Sequence, residues 1–344
     1  MQRSYLLVTI CTSFLWLAAS CSLSDEGEVS SLSNSNEDEC SDKNRQGLPE
    51  VIHDSFKLKK CDSFAGNEMN QSLWAYNYTW GENIPEGQNV THNFNAYMDK
   101  TMVKQNNGYL RLKAEKLKIE GQWPDYLDIG DREINSRMPE KYCKQLKNND
   151  PERCKIMAKT GAITSRFKFQ HGYLEARLRL PATNGFWPAF WMLHGGWPPE
   201  IDILEVLTNI DDDGNPDYAF IQNYHFKKLN GNGSAYKRHD RSSLEDLNLC
   251  DSQSKGCGAK FSEWNTFGLL WQEDTLSYYV NGQLSHSVKG KQVTNKEGYI
   301  LLNLAVGGWA NNPDDRTDWN KAHMDIDWIR LWQRKEGGKL QPSP

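Results

Sequence analysis

From about residue 51 the apolar residues fall in short β-rich runs, among them 161–169, 173–180, 267–271 and 299–306, separated by Gly, Asn, Asp and Pro. Short strands punctuated in this way predict an all-β chain: a β-sandwich or jelly roll in which each sheet buries one face against the other. No heptad, internal repeat or long amphipathic helix interrupts the pattern, although a helical turn is expected over 139–146. The segment 119–154 is a long polar insertion relative to its neighbours, of the kind that is either functional or decorative, and its Trp123 and Tyr126 are candidates for one wall of a cleft.

The densest mixture of apolar and acidic residues is 187–205, which ends in Glu200-Ile201-Asp202-Ile203-Leu204-Glu205. In a strand, side chains alternate between faces, so Glu200 and Asp202 share one face while Ile201 and Ile203 point into the opposite apolar layer. Strict alternation puts Glu205 on the wrong face. One β-bulge near Ile203-Leu204 would restore it, because a single extra residue shifts the alternation by one.

Three carboxylates on one cleft face suit glycoside hydrolysis, in which one carboxylate attacks or activates water and a second, kept protonated, protonates the leaving oxygen. Neighbours along one strand face can hold their carboxyls about 5–5.5 Å apart, the separation of a nucleophile and an acid/base in the retaining mechanism. Asp202 would then help to keep Glu205 protonated by like-charge repulsion and could share a hydrogen bond with the nucleophile. Taken alone, Glu-x-Asp-x-x-Glu also fits an acidic strand edge or a surface turn. The flanking residues decide between the two.

His171-Gly172-Tyr173-Leu174-Glu175-Ala176-Arg177-Leu178-Arg179-Leu180-Pro181, then Gly185-Phe186-Trp187-Pro188-Ala189-Phe190-Trp191, then the acidic motif, resemble glycoside hydrolase family 16. Upstream, Asn107-Gly108-Tyr109-Leu110-Arg111-Leu112 and Thr160-Gly161-Ala162-Ile163-Thr164-Ser165 are similar to early strands of that family. Downstream, 275–282, 301–308 and 324–332 are similar to its later strands, so the resemblance runs over roughly residues 50 to 335 in the same order. It implies a concanavalin A-like jelly roll with an open substrate cleft and a laminarinase- or lichenase-like activity. Glu200 is then the nucleophile, Asp202 the electrostatic helper and Glu205 the general acid/base, in the bulged branch of the family. Trp187 and Trp191 become sugar-contacting or cleft-floor residues, with Trp197 beside the acids and Trp309, after Gly307-Gly308, as a further platform. Asn223 and His225, on an expected strand over 218–226, are candidates for substrate binding; His225 could orient a carboxylate or donate to a sugar hydroxyl. The resemblance also raises a structural calcium away from the cleft, with Asp327 as its candidate ligand, although two acids on one strand fall short of the oxygens calcium needs. No cofactor is required by the chemistry.

Composition narrows the partners. A net charge of −5 over 344 residues makes no electrostatic case for nucleic acid. Thirteen Trp, 14 Tyr and 12 Phe offer rings that pack in a core or stack on sugars; the resemblance implies a polysaccharide substrate, and a monomer is expected. Arg3, an apolar run over 5–19 and the small residues before Cys21 read as an export signal (1–21) of the lipoprotein type, with Cys21 as the lipid anchor and sole membrane attachment. Residues 22–50, poor in large apolar side chains, read as a disordered tether, 51–335 as the catalytic domain and 336–344 as a tail. Beyond Cys11 and Cys21, six cysteines remain, and proximity favours Cys40 with Cys61, Cys143 with Cys154 and Cys250 with Cys257. Three triplets, at Asn77, Asn89 and Asn232, match glycosylation acceptors and in a bacterium carry no meaning.

The functional expectation is an exported endo-acting retaining hydrolase of β-1,3- or mixed β-1,3/1,4-glucan. Hydrolases of algal galactan (carrageenan, agar or porphyran) or bacterial exopolysaccharide, a transglycosylase, and a glycan-binding lipoprotein without turnover remain as alternatives. A sulfated substrate would call for basic side chains in the cleft, for which Arg166, Lys168 and Arg177 are the candidates.

Overall fold

The computed structural model describes residues 40–76, 78, 96–106, 108–118, 157–251 and 257–336. The export signal, the tether as far as residue 39, the 119–154 insertion with Trp123, Tyr126, the helical turn and the Cys143–Cys154 pair, and nearly all of the tail lie outside the described residues.

The strands are β1 (Phe56–Asp62), β2 (Trp74–Tyr76), β3 (Ala96–Met98), β4 (Val103–Asn106), β5 (Tyr109–Lys116), β6 (Ala158–Thr160), β7 (Ala162–Ser165), β8 (Gly172–Arg179) and β9 (Phe186–Leu193). They continue as β10 (Glu200–Ile210), β11 (Pro216–Lys228), β12 (Gly231–Arg238), β13 (Asn265–Trp271), β14 (Thr275–Val280), β15 (Gln283–Lys289), β16 (Tyr299–Val306) and β17 (His323–Arg334). Two short helices, Glu50–His53 and Arg241–Asp246, accompany them. One sheet has the order β15-β14-β13-β8-β17-β5-β6-β3, with β1 added beside β17 and β4 beside β5; the other runs β12-β11-β10-β9-β16-β7-β2. Pairing is antiparallel except between β3 and β6.

Alternation explains which face goes inside. In β5, Leu110, Leu112 and Ala114 are buried while Tyr109, Arg111, Lys113 and Glu115 are half-buried on the other side. In β16 Ile300, Leu302, Leu304 and Val306 face the inter-sheet core, where they meet Leu174, Leu178, Phe267, Leu269 and Ile326 of the larger sheet. Each such side chain contributes about 1.5–3 kcal/mol by leaving water. The outer face of the smaller sheet carries a second buried cluster, Ala189, Trp191, Leu193, Tyr299 and Leu301 with Tyr78, Met98 and Ala162. This second cluster is the floor on which the site is built.

The Asn281-Gly282 turn joining β14 to β15 has both residues at positive φ (49° and 78°), the geometry of a two-residue hairpin. The run expected over 161–169 is strand only as far as Ser165. There the hydroxyl donates to the Phe167 carbonyl (2.8 Å) and accepts from the Ile300 amide (2.9 Å), turning the chain out of the sheet.

The tether expected over 22–50 is corrected from residue 40 onward, where the chain packs on the sandwich. Leu48, Ile52 and Phe56 are buried against Tyr173, Leu270, Tyr279 and Trp332 on the outer face of the larger sheet. Arg45 lies over the Trp332 ring, 4.9 Å from its centroid, and donates to the carbonyls of His53 and Phe56. A Cys40–Cys61 disulfide pins this segment to β1. Polar composition hid it, because between residues 40 and 50 Leu48 is the one large apolar side chain. The Cys250–Cys257 pair is also formed.

Candidate active site

The acids are arranged by a bulge in β10. Against β11, Asp202 is opposite Asn223 and Glu205 opposite Ile221, so three steps on one strand match two on its neighbour. Against β9, Asp202 is opposite Trp191 and Leu204 opposite Phe190, with the same single extra residue. Ile203 and Leu204 consequently both enter the inter-sheet core with Ile201 and Val206. Glu200, Asp202 and Glu205 all emerge on the outer face, in an open cavity of about 760 Å³.

Indole N–H groups hold the two glutamates. Trp197 Nε1 donates to Glu200 Oε1 (3.2 Å) and Trp187 Nε1 donates to Glu205 Oε1 (3.1 Å). Trp187 is stacked on Trp309, with ring centroids 4.9 Å apart and planes 11° apart, and Trp309 is 60% exposed, a flat ring open to a sugar face. Trp191 is buried in the floor, where its Nε1 donates to Asn303 Oδ1 (2.8 Å) and Tyr78 meets its ring edge-on. Gly195 and Gly196, at φ +79° and +152°, line the rim before Trp197 in conformations that L side chains avoid.

Burial dominates the electrostatics. It pushes Glu200 up to about 7, opposed by the Trp197 N–H, and pushes Asp202 well above the usual carboxylate range, aided by the charges of Glu205 and Glu200. Glu205 rises to about 8, first through burial and then through the Glu200 charge, with the Trp187 hydrogen bond opposing. Asp202 and Glu205 repel each other as well, while desolvation is the first cause of the rise at Glu205. Asp202 is itself 4% exposed, and its Oδ2 is buried without a hydrogen-bond partner, so it shares no proton bond with the nucleophile through that oxygen.

His225 lies at the wall, its Nε2 3.6 Å from both Glu200 Oε1 and Asp202 Oδ2, and burial lowers its pKa. Asn223, expected against the substrate, is not among the cavity-lining residues; it is buried and donates from Nδ2 to His225 Nε2 (2.8 Å). Strand alternation put Asn223 on the correct face but could not show that His225 lies in front of it. Tyr78, Tyr299 and Asn303 line the cavity without having been singled out. A polar Asn303 inside the apolar run Leu301-Leu302-Asn303-Leu304 was the available signal; Tyr78 carried none.

Basic side chains do not enter the cavity lining among the described residues. Arg166 donates to the carbonyls of Gln71 and Trp74, and Arg177 lies on the larger sheet. Asp327 receives Arg177 Nη1 at 2.5 Å, and Asp325 receives Arg111 and Arg179. Guanidinium groups thus supply the countercharge at Asp327, and the described residues there do not fit a calcium ion with its six to eight oxygens. Glu200, Asp202 and His225 bring ligand atoms within 4.8 Å of one another, but the His225 Nε2 lone pair is already used by Asn223 and is not available to a metal ion.

The described residues thus form a two-sheet sandwich bearing a carboxylate-lined, tryptophan-walled cleft on its outer face. The model of glycosyl hydrolases family 16 matches residues 90–330, and the chain belongs to that family. It is 31% identical over 183 residues to the endo-1,3-1,4-β-glycanase ExsH of Rhizobium meliloti, covering 49% of this chain and 34% of that protein. It is 27% identical over 194 residues to a glucan endo-1,3-β-glucosidase of Cryptopygus antarcticus, covering 49% of this chain and 65% of the relative. The chain thus spans between a third and two thirds of the length of these relatives. The catalytic domain of an endo-1,3-β-glucanase (laminarinase) from Thermotoga petrophila shares the fold, with a TM-score of 0.54 at 23% identity over 81% of this chain and 98% of that one.

Proposed function

We propose that this chain is an endo-acting, retaining hydrolase of β-1,3- or mixed β-1,3/1,4-glucan. The observation that carries the reading is the bulge in β10, which brings Glu200 and Glu205 onto one face with an indole N–H on each. Glu200 attacks the anomeric carbon while Glu205 gives its proton to the departing glycosidic oxygen, leaving a glycosyl ester on Glu200. Glu205, now ionised, takes a proton from water, whose oxygen attacks the same carbon and releases Glu200. Trp309 and Trp187 bind the sugar faces, Trp191 forms the floor, and an open cleft admits the middle of a polymer. Relatives named for β-1,3- and β-1,3-1,4-glucan activity support the substrate class, and the described lining of the cleft holds no Lys or Arg to offer a sulfated galactan a countercharge. We also propose export with a lipid anchor at Cys21 and a monomeric enzyme; the two disulfides suit an oxidising compartment.

The test is a product assay of the purified chain on laminarin, mixed-linkage glucan, carrageenan, agarose and porphyran, with Glu200→Gln as control. Oligosaccharides from either glucan, by the wild type alone, are expected. Products from a galactan only, or equal turnover by Glu200→Gln, would overturn the reading.

A further inference from the structure

We propose that Asn223 is a positioning residue that locks His225 as a neutral ring, protonated on Nδ1 with its Nε2 lone pair turned inward, so that Glu200 faces no cation from the cleft wall. This rests on the role of Glu200 proposed above.

The lock follows from donor and acceptor identity. The Tyr224 backbone N–H donates to Asn223 Oδ1 (2.9 Å), and the Ser234 hydroxyl donates to the same oxygen (2.5 Å). A backbone amide cannot accept, so the amide oxygen is fixed on that side and the NH2 group must face His225. That group donates only, and it lies 2.8 Å from His225 Nε2. Nε2 is therefore the acceptor, and the ring proton belongs on Nδ1. The Tyr278 hydroxyl, reaching across from the larger sheet, donates to the Asn223 carbonyl (2.7 Å) and anchors the backbone of the lock.

The ring is faced by Glu200 and Asp202 from β10, Ser234 from β12 and the Trp197 indole from the preceding loop, tilted 5.5 Å above it. Glu205 completes the titratable set. A protonated His225 would stand 3.6 Å from two carboxylate oxygens and pair with both. Such a cation would stabilise the Glu200 carboxylate before attack and lose that pairing once the ester forms, which opposes the reaction. With the lone pair inward, no imidazolium opposes the burial that raises Glu200 and Asp202, and the unpartnered Asp202 Oδ2 can hold a proton.

The test uses the full chain labelled with 15N-histidine, with the His225 signals assigned by their loss in His225→Gln. At pH about 6.5, where an ordinary histidine is half protonated, His225 is expected neutral with the proton on Nδ1. In Asn223→Asp the new carboxylate accepts from Nε2, and the ring is expected as imidazolium at that pH. On the polymer cleaved by the wild type, the acid limb of kcat/KM then moves down by about one pH unit and kcat falls about tenfold. Asn223→Ala removes the donor and is expected to raise the ring's titration midpoint. An Nε2-protonated or cationic His225 in the wild type at pH about 6.5, or an unchanged ring and acid limb in Asn223→Asp, would overturn the proposal. The spectra require no substrate, so failure on every polymer would sink the assigned function without deciding the ring state.

Discussion

Replacing Glu200 by Gln should lower the pKa of Glu205, because part of its elevation is repulsion from the Glu200 charge. Two carboxylates at the roughly 5.5 Å of a retaining pair repel by about 3 kcal/mol at an effective dielectric constant of about 20, equivalent to about two pH units. Glu205 stands at about 8 in the resting protein, so it is expected near 6 in the variant. Burial, which Gln does not change, keeps it above the ordinary 4.5. Gln retains an acceptor for the Trp197 N–H and leaves the wall intact. The same fall occurs in the reaction when Glu200 becomes an ester: Glu205 holds its proton while acid is needed and releases it when base is needed. In the wild type, Glu200 must be ionised and Glu205 protonated, so the rate should be bell-shaped, with limbs near 7 and 8 that belong to the pair. Titration of carboxyl-13C glutamate by NMR, with Glu205→Gln for assignment, reads the shift directly. A Glu205 midpoint unmoved at about 8 would show that burial alone raises it; a midpoint at 4.5 would show that the carboxyl is solvated.

Three further outcomes are expected. Glu205→Ala should lose most rate on natural polymers and far less on aryl glycosides with good leaving groups, and equal losses on both would remove it as the acid. Trp187→Phe deletes the donor to Glu205, whose carboxylate then loses its stabilising bond, so the alkaline limb should rise by about one pH unit; a fixed limb refutes the role of that bond. Asp325→Asn should cost about 2–3 kcal/mol in urea unfolding, because Arg111 and Arg179 lose a fully buried partner yet remain partly wet. Burial would raise the Asp325 pKa, but Arg111, then His323 and Arg179, hold it below 3.8; its contribution is thus present above that value and lost as pH falls through the depressed one, and a loss under about 1 kcal/mol would count against the pairing.

The strands were readable because burial of one face imposes a period of two, as in Tyr109-Leu110-Arg111-Leu112, while burial of both faces gives a short continuous apolar run, as in Tyr299 to Val306. The three acids were readable for the same reason, together with the need for one bulge to rescue Glu205: both Ile203 and Leu204 had to be buried, and only an extra residue allows it. The Cys250–Cys257 disulfide followed from a short loop, and Cys40–Cys61 from the preference for the nearest remaining cysteine. What lay across the sheet did not follow. Asp327 meets Arg177 and Asp325 meets Arg179 because β17 runs beside β8, a pairing between residues about 150 apart in sequence. Asn223 could be assigned a face but not a neighbour, and it took the registers of β10, β11 and β12 to place Tyr224, Ser234 and His225 around its amide. Local alternation is a property of the chain and survives without a partner, whereas the protonation of a carboxyl or an imidazole depends on which distant groups exclude water from it, and tertiary packing alone decides that.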